Sequence, residues 1–172
     1  MKRITPLDKM NNSQQAVFNK CPINVMRTML VGDVDIASKY TEFGLGFGSI
    51  QIGNKLREAA IIRVAKLFNC EYELMHHIPN GIKSGLSEED IKSILDGGVN
   101  NAEIKAMVDY IDEIVKDKVS CDTTFAKLRR FFSEGEVVEL TLLIGHYIMT
   151  AVFILNCGVE LDNAPIDKIY DN

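Results

Sequence analysis

Apolar residues recur along most of this chain at the three- and four-residue spacing of amphipathic α-helices. The clearest case is the stripe Ile104, Val108, Ile111 and Val115, whose members lie four, three and four residues apart. Such spacing places side chains on one face of a helix. No segment shows sustained alternation of apolar and polar residues, which is the pattern of a half-buried strand. The sequence therefore predicts an all-α fold.

Caps and glycines divide the chain into a succession of predicted helices. Asp33 is a candidate N-cap for one helix, and Asn54 is a candidate N-cap for another that ends near residue 69. The apolar positions of this second helix are too numerous for one face, which predicts a buried, central helix. Four glycines in residues 43–53 predict a loop or a frayed helix end. Further helices are expected at 25–30, 70–78, 87–95, 104–115, 120–132 and 135–156.

The length and composition fit one compact domain. A chain of 172 residues, 47% of them apolar, can bury a core without disulfides or a bound metal. We divide it into an N-terminal arm at residues 1–20, a helical domain at 21–162 and a C-terminal tail at 163–172. Polar residues at 8–15 stand where a secretory signal would be apolar, which favours a cytoplasmic protein.

Charge and hydropathy argue against two classes of partner. The formal net charge is -5 and no dense cluster of Lys or Arg is present, so no nucleic-acid partner is expected. The longest apolar run, 140–155, is interrupted by His146 and is shorter than the roughly 20 residues that span a bilayer. We therefore expect a buried helix there and no membrane partner. The four cysteines form no CxxC pair, which predicts neither a zinc ribbon nor a disulfide framework.

Three chemically active side chains share one face of the helix predicted to begin near Cys70. Cys70, Glu73 and His77 stand at relative positions 0, +3 and +7, within an arc of roughly 60° at 3.6 residues per turn. Glu73 and His77 are spaced i, i+4, so the carboxylate can accept from the imidazole and raise its basicity. Glu58 lies on the preceding apolar helix, where burial would raise its pKa unless a partner compensates. These four residues are candidates for acid–base chemistry.

Ordinary structural roles stay open for the same residues. A Glu–His pair at i, i+4 is common on solvated helix surfaces, and a lone cysteine such as Cys70 is commonly a core residue. Glu58 can complement a helix dipole. His76 points about 100° away from His77, toward solvent or an interface, and His146 can be a core histidine. Because adjacent histidines diverge on a helix, no metal ligand set is predicted.

Three segments form an ordered motif: LREAAIIRVA at 56–65, CEYELMHH at 70–77 and GLSEEDI at 85–91. In order and spacing they resemble the core signature of the carboxymuconolactone decarboxylase family and the related alkylhydroperoxidase-D-like (AhpD-like) proteins. The resemblance extends weakly to 138–140, 145–147 and 156–159 and covers residues 20–162. It implies an all-α, AhpD-like helical bundle that assembles as a homo-oligomer, a dimer, trimer or hexamer.

The resemblance also implies a set of site residues. In the peroxidase branch of the family, a glutamate on one helix precedes a CxxC pair and a histidine on the next. Glu58, Cys70 and His77 match the glutamate, the first cysteine and the histidine, and Glu73 takes the place of the second cysteine. The candidate catalytic residues are therefore Glu58, Cys70, Glu73 and His77. Tyr72, His76 and His146 are candidate substrate-binding residues.

The decarboxylase branch depends on His and Glu groups at the same place, which matches the Glu73–His77 pair. It implies an enzyme that uses acid–base chemistry on a small carboxylic acid or lactone. Such a reaction needs a donor for the enolate oxygen and an acid for carbon, and no cofactor or metal. Two alternatives stay open. One is a thiol-dependent peroxidase that uses Cys70 and an external thiol, because the carboxylate of Glu73 cannot form the disulfide that a resolving thiol forms with the oxidised cysteine. The other is a non-catalytic helical oligomer that binds a small ligand.

Overall fold

Helices account for the regular structure of the described part of the chain. The computed structural model describes residues 2–166, and within that range it contains no strand. The α-helices in chain order are α1 Asn12–Phe18, α2 Asn24–Met29, α3 Val34–Gly46, α4 Gly53–Leu67, α5 Glu71–Lys83, α6 Glu88–Asp96, α7 Ala102–Asp117, α8 Asp122–Leu128 and α9 Glu134–Cys157. The predicted all-α fold is confirmed.

Helix α4 is the centre of the fold, as its apolar sequence predicts. Every residue from Arg57 to Ala65 is buried, and α4 packs against α5, α6, α7 and α9. Arg63 is buried with the rest because its guanidinium makes four hydrogen bonds. It makes two hydrogen bonds of 2.6 Å to the carboxylate of Asp112 on α7 and donates to the backbone carbonyls of Ile94 and Leu95 on α6. One buried cation thus ties three helices together.

Two predicted helix starts have different outcomes. The Asp33 carboxylate accepts hydrogen bonds from two backbone N–H groups in the first turn of α3, so Asp33 is an N-cap as predicted. The prediction that Asn54 caps α4 is wrong, because α4 begins one residue earlier, at Gly53. Gly53 has a φ of +77°, which turns the chain sharply into the helix. The Asn54 carboxamide oxygen instead accepts from Nη1 of Arg57 at 2.8 Å.

The predicted loop at residues 43–53 is helical in its first half. Helix α3 continues to Gly46, and a 3₁₀ turn follows at Phe47–Ser49. A Cβ atom at Gly44 would lie 3.0 Å from Nε2 of His146 on α9, so the absence of a side chain lets α3 approach that ring closely. Tertiary packing therefore outweighs the low helix propensity of glycine here.

Both terminal segments fold against the rest of the protein. In the predicted N-terminal arm, α1 packs on α3 and buries Val17 and Phe18. After α9 the chain turns back, and the carboxylate of Asp162 accepts a hydrogen bond from the backbone N–H of Asn24 at 3.0 Å. Residue 1 and residues 167–172, which belong to the predicted C-terminal tail, lie outside the described residues.

The longest helix, α9, combines a buried side with an exposed apolar side. Its 24 residues include a stretch that by length and composition could cross a membrane, with a mean hydropathy of 1.9. Half of that stretch is buried inside the fold, and α9 packs along α4. These are the contacts of a core helix, which is what the interrupted apolar run at 140–155 predicts.

Candidate active site

A small cavity lies between the segment before α2 and the helices α2, α3, α5 and α9. Its volume is about 70 Å³ and most of its lining is apolar. Two ionisable side chains of α5, Glu73 and His77, face it, together with His146 of α9. The other lining residues come from within 21–26, from within 40–45, and from Tyr147 and Thr150 on α9. The sequence elements that form this cavity are therefore far apart in the chain.

His77 lies between two carboxylates in the wall of the cavity. Its Nδ1–H donates a hydrogen bond to Oε2 of Glu58 on α4 over 2.7 Å. Its Nε2 lies 3.3 Å from Oε2 of Glu73, one turn earlier on α5. His77 is 2% exposed and Glu58 has no contact with solvent. The structure thus brings together three of the four predicted catalytic side chains, and we call the series Glu58–His77–Glu73 the relay.

Arg57 extends this buried network on the side away from the cavity. Its Nε and Nη2 atoms both lie 3.0 Å from Oε1 of Glu58. Its Nη1 also donates to the backbone carbonyl of Phe47 at 3.3 Å. Glu58 therefore has a cation at each carboxylate oxygen, which allows a carboxylate to stay charged without contact with water.

The pairing sets the protonation states of the relay. Burial alone would raise the pKa of Glu58, but the His77 imidazolium and the Arg57 guanidinium outweigh it and hold that pKa below its usual value. Burial alone would lower the pKa of His77, but the carboxylates of Glu58 and Glu73 raise it to about 9. At neutral pH His77 is therefore an imidazolium and can act as an acid.

Glu73 and His77 at the cavity, and Glu58 behind them, are paired with one another. Both nitrogens of His77 face carboxylates, and Arg57 takes the remaining oxygen of Glu58. Among residues 2–166, no group of three or more His, Cys, Asp or Glu side chains is arranged as a metal site. What the relay can do chemically is move a proton between its carboxylates, its imidazole and a molecule in the cavity.

Cys70 is not part of this cavity, and its predicted place beside His77 is wrong. Cys70 is the residue before the first turn of α5, with φ -89° and ψ 88°, so the angular spacing of a helix does not apply to it. Its side chain is fully buried in the apolar cluster that contains Val17 and Phe18. Burial raises the pKa of its thiol to about 11, although two backbone N–H groups of α5 act in the opposite direction. At neutral pH it is a protonated core thiol.

Tyr72 and His76 face away from the cavity and hold the C-terminal segment. The Tyr72 hydroxyl donates a hydrogen bond to Oδ2 of Asp162 and accepts one from the backbone N–H of Val25. Nε2 of His76 lies 3.1 Å from the same carboxylate oxygen, and its Nδ1 accepts a hydrogen bond from the N–H of Ile166. Contrary to the prediction, neither side chain lines the cavity.

His146 does face the cavity, and aromatic rings surround it. Tyr40 stacks on its imidazole with 4.8 Å between ring centroids, and Tyr147 meets it edge-on at 5.3 Å. Tyr147 also meets the ring of His77 edge-on at 5.1 Å. Nothing in the local sequence links Tyr40, Tyr147 or the cavity-lining Cys21 to the site, because these residues lie on three separate segments. Burial raises the pKa of the Cys21 thiol to about 12.

No protein-family model matches this sequence, and no curated protein matches it. Solved structures, however, share its fold. ATU0492 from Agrobacterium tumefaciens, a protein of unknown function with a suggested role as the antioxidant defence protein AhpD, superposes with a TM-score of 0.65 at 20% sequence identity. The match covers 73% of this chain and 90% of ATU0492.

The debrominase Bmp8 is similar over almost its whole length. Its apo structure has a TM-score of 0.69 at 14% identity, covering 96% of this chain and 95% of that one. A cysteine-to-alanine variant of Bmp8 in complex with 2,3,4-tribromopyrrole has a TM-score of 0.77 at 12% identity, covering 98% of each chain. At these identities the likeness establishes the fold alone. This is an AhpD-like helical fold, as the sequence resemblance predicts, and it carries a buried Glu–His–Glu relay beside a small cavity.

Proposed function

We propose that this protein is an enzyme that transfers a proton to or from a small substrate by means of the relay. The observation that carries the proposal is the place of His77, whose ring is held by a carboxylate at each nitrogen and lines a cavity. The small cavity and its apolar lining support a small substrate. Such a site combines a positioned acid with a small, mostly apolar space.

The two contacts of the His77 ring within the relay differ in length. The contact of His77 with Glu58 is 2.7 Å long, and Arg57 clamps the far oxygen of that carboxylate. The contact with Glu73 is 3.3 Å long, and Glu73 lines the cavity. A longer contact is a weaker hydrogen bond, so a proton leaves or returns more easily on that side. In this proposal Glu58 holds the imidazole, and Glu73 carries the proton between His77 and the substrate.

The narrower form of the proposal is a carboxymuconolactone decarboxylase-like reaction on a small carboxylic acid or lactone. In a decarboxylation, the carbon–carbon bond to the carboxylate breaks, carbon dioxide leaves, and the electron pair moves into a neighbouring carbonyl as an enolate. The proton of His77 then reaches the enolate carbon through Glu73, and water restores it. With a lactone, the reaction consists of removing a proton from the carbon next to the carbonyl and then returning a proton to carbon. Each step is a proton transfer or a bond cleavage that an acid–base pair supports.

The thiol-dependent peroxidase alternative receives less support from the geometry. Cys70 does not reach the cavity, and Cys21, which does, is a protonated thiol because burial raises its pKa to about 12. The nucleophile that reduces a peroxide is the thiolate. The imidazolium of His77 is already neutralised by two carboxylates, so it provides little net charge to stabilise one.

Proton exchange at carbon tests the proposed function. In D₂O, NMR follows deuterium uptake next to the carbonyl of small lactones and cyclic ketones, and carbon dioxide release is measured for small 3-oxo acids. We expect the wild-type protein to accelerate at least one of these reactions. His77→Gln is expected to lower its kcat by about 10²–10⁴-fold, the usual contribution of a positioned acid or base.

His76→Gln is the matched control for this experiment. His76 is an equally buried histidine on the same helix, but it does not line the cavity, so its replacement is expected to leave kcat close to the wild-type value. If the wild-type protein binds these compounds and turns none of them over, the proposed function is contradicted and the non-catalytic, ligand-binding alternative is supported. A His77→Gln variant with the wild-type rate would remove the relay from the mechanism.

We also propose that the protein is a homo-oligomer in which copies of α9 meet. Exposed residues of α9 follow a 4-3-4-3 spacing, namely Val138, Leu142, Gly145, Met149 and Val152. This is the heptad spacing by which two copies of one helix pack together.

Light scattering at micromolar concentration is expected to give a dimer or a larger assembly, and Leu142→Glu is expected to shift the assembly toward monomer. Val119→Glu, at an exposed site outside α9, should change nothing; a monomeric wild type would contradict the proposal.

A further inference from the structure

The partly exposed lining residues show where the cavity opens to solvent. The lining residues of α5 and α9 are all buried, as are most of those in 21–26. The exceptions are Ile23 on one side and three residues of α3 on the other, namely Tyr40, Gly44 and Leu45. The mouth of the cavity therefore lies between residues 21–26 and α3, and the distance between these two walls limits what can enter.

Contacts with other helices hold the α3 wall in place. Tyr40 stacks on the ring of His146 of α9 with 4.8 Å between ring centroids, and Phe43 meets the same ring edge-on at 5.5 Å. Helix α1 also packs on α3, and the 3₁₀ turn that follows α3 accepts a hydrogen bond from Arg57 at the carbonyl of Phe47. We therefore expect any opening of the mouth to come from the other wall.

The other wall includes the first turn of α2, which its own helix stabilises poorly. Helix α2 has six residues, too few to be stable without contacts from the rest of the fold. None of the described helices packs closely along its backbone, and its N-cap residue, Ile23, makes no side-chain cap. The N–H groups at the start of α2 therefore need partners from elsewhere in the chain.

Asp162, in the segment after α9, provides those partners. Its Oδ1 accepts a hydrogen bond over 3.0 Å from the N–H of Asn24, the first residue of α2. The next N–H, that of Val25, donates to the Tyr72 hydroxyl at 3.1 Å, and Tyr72 donates to Oδ2 of Asp162. Although burial alone would raise the pKa of Asp162, hydrogen bonds, those from His76 and Tyr72 most of all, hold that pKa below its usual value. A charged carboxylate thus caps α2 from a distant part of the chain.

The segment that carries Asp162 is attached at few points. Apart from Asp162, its residues from 160 to 165 are exposed. The carboxamide of Asn24 donates to two of its carbonyls, and the N–H of Ile166 donates to His76. The Asp162 side chain is itself 16% exposed, so water can replace its partners. A segment with so few buried contacts opens at a lower free energy than the core does.

We propose that residues 159–166 form a strap that controls entry to the cavity, with Asp162 as its attachment to α2. While Asp162 is attached, the first turn of α2 is ordered and the mouth is narrow. When it detaches, the N–H of Asn24 loses its partner and the Tyr72 hydroxyl loses its acceptor, so the first turn of α2 moves away from α3. The inference rests on the proposed function, because the molecule that the strap then admits is the substrate of the relay.

The far end of α2 is the hinge of this movement. Nη1 of Arg27 donates to the backbone carbonyl of Leu7, and the N–H of Leu7 donates to the carbonyl of Arg27. Leu30, which follows the last residue of α2, is fully buried, and its carbonyl accepts a hydrogen bond from Gln14 of α1. None of these contacts involves the strap, so they persist when Asp162 is released. The opening is then confined to residues 21–26.

The reactivity of Cys21 measures this opening. Cys21 lines the cavity, is buried while the strap is attached, and has a pKa raised to about 12 by burial. Its rate of reaction with N-ethylmaleimide, followed by peptide mapping, therefore reports the open molecules. Asp162→Ala is expected to raise this rate at least about tenfold, because it removes a hydrogen bond from a charged group to α2. Cys70, fully buried and outside the cavity, is expected to keep its wild-type rate.

Two controls separate opening from other effects of the substitution. Glu160→Ala removes an exposed carboxylate of the same strap, which lies 3.7 Å from Nζ of Lys2, and is expected to leave the rate at Cys21 unchanged. Because the charge of Asp162 also contributes to the pKa of Cys21, hydrogen exchange at the N–H of Val25 is measured as well and is expected to become at least about tenfold faster. A faster reaction at Cys21 without faster exchange at Val25 would overturn the inference, as would a wild-type rate at Cys21 in Asp162→Ala.

Hydrogen exchange of the wild-type protein decides the matter if Asp162→Ala does not fold, which equal gains in reactivity at Cys21 and Cys70 would reveal. The N–H of Val25 is then expected to be at least about tenfold less protected than the N–H of His77 on α5, because the strap opens more often than the core. Equal protection of the two N–H groups would refute the strap.

Thiol labelling needs no turnover, so this inference and the proposed function can fail separately. Faster labelling of Cys21 in Asp162→Ala, in a protein that turns over none of the tested compounds, would support the strap and contradict the proposed function. Turnover that depends on His77, with labelling of Cys21 unchanged by Asp162→Ala, would support the proposed function and refute the strap.

Discussion

Glu58→Gln is expected to destabilise the fold by about 3 kcal/mol and to lower turnover at least about 100-fold. Glu58 has no contact with solvent and holds Arg57 and His77 as cations on its two oxygens. Loss of one partner of a buried ion pair costs about 3–5 kcal/mol, because the remaining charge stays buried without compensation. Without the Glu58 carboxylate the pKa of His77 falls, and a larger fraction of its imidazole is neutral at neutral pH. A neutral imidazole cannot supply the proton that the proposed acid provides.

Urea unfolding and the exchange assay measure the two parts of this effect. Glu71→Gln is the control, because Glu71 is an exposed carboxylate in the first turn of α5; its replacement is expected to change the free energy of unfolding by no more than about 0.5 kcal/mol. Wild-type stability in Glu58→Gln would mean that the buried network contributes nothing net to the fold. Wild-type turnover in a folded Glu58→Gln would mean that the imidazole does not need this carboxylate.

The stability of the wild-type protein is expected to fall by about 2 kcal/mol between pH 6.5 and 8.5. The pKa of His77 is about 9 in the folded chain and about 6.5 in the unfolded chain, so folding favours the protonated form. This contribution is fully present below pH 6.5 and is lost as the pH rises toward 9. Glu58 acts in the opposite pH range: its pKa is lowered in the folded chain, so its contribution is lost on acidification through the usual glutamate range.

Comparison of the wild type with His77→Gln isolates the part of the pH dependence of stability that is due to His77. In that variant the free energy of unfolding is expected to be lower at pH 6.5 and to fall less than that of the wild type up to pH 8.5, whereas His76→Gln should keep the wild-type slope. The cysteines of the unfolded chain begin to ionise above about pH 7.5, whereas the buried thiols of Cys21 and Cys70 do not ionise in the folded chain. This loss of stability is common to wild type and variant, so the difference between the two profiles reports His77, and the comparison stops at pH 8.5. A wild-type stability that does not change between pH 6.5 and 8.5 would show that His77 is not held as an imidazolium.

Local spacing is sufficient to predict most of the helices, though not α1, and one half of the relay. The 3.6-residue period of apolar positions predicts α4 and α7, and the absence of one-sided patterning in α4 predicts that it is buried. Glu73 and His77 stand one turn apart on one helix, so their proximity depends on helix geometry alone. The structure confirms this pair at 3.3 Å.

Other residues of α5 show where local spacing stops being informative. Cys70 has the sequence spacing that would place it on the same helix face as Glu73 and His77. It precedes the first residue of α5, however, and its side chain packs in the apolar cluster. Tyr72 and His76 are correctly placed on the helix, but the group they bind is Asp162, which lies 86 residues beyond His76. The helix start and the path of the C-terminal segment depend on packing, and the spacing on α5 contains no information about either.

The sequence alone determines most of the helical segments, that α4 is buried, and that Glu73 and His77 face the same way; α1 and the end of α3 are the exceptions. These properties depend on contacts between residues a few positions apart, which helix geometry specifies. Only the tertiary structure decides that Glu58 stays ionised, that Cys70 is excluded from the cavity and that His146 of α9 lines it. These properties depend on which helix faces meet, and that is set by close packing of segments that are far apart in the chain.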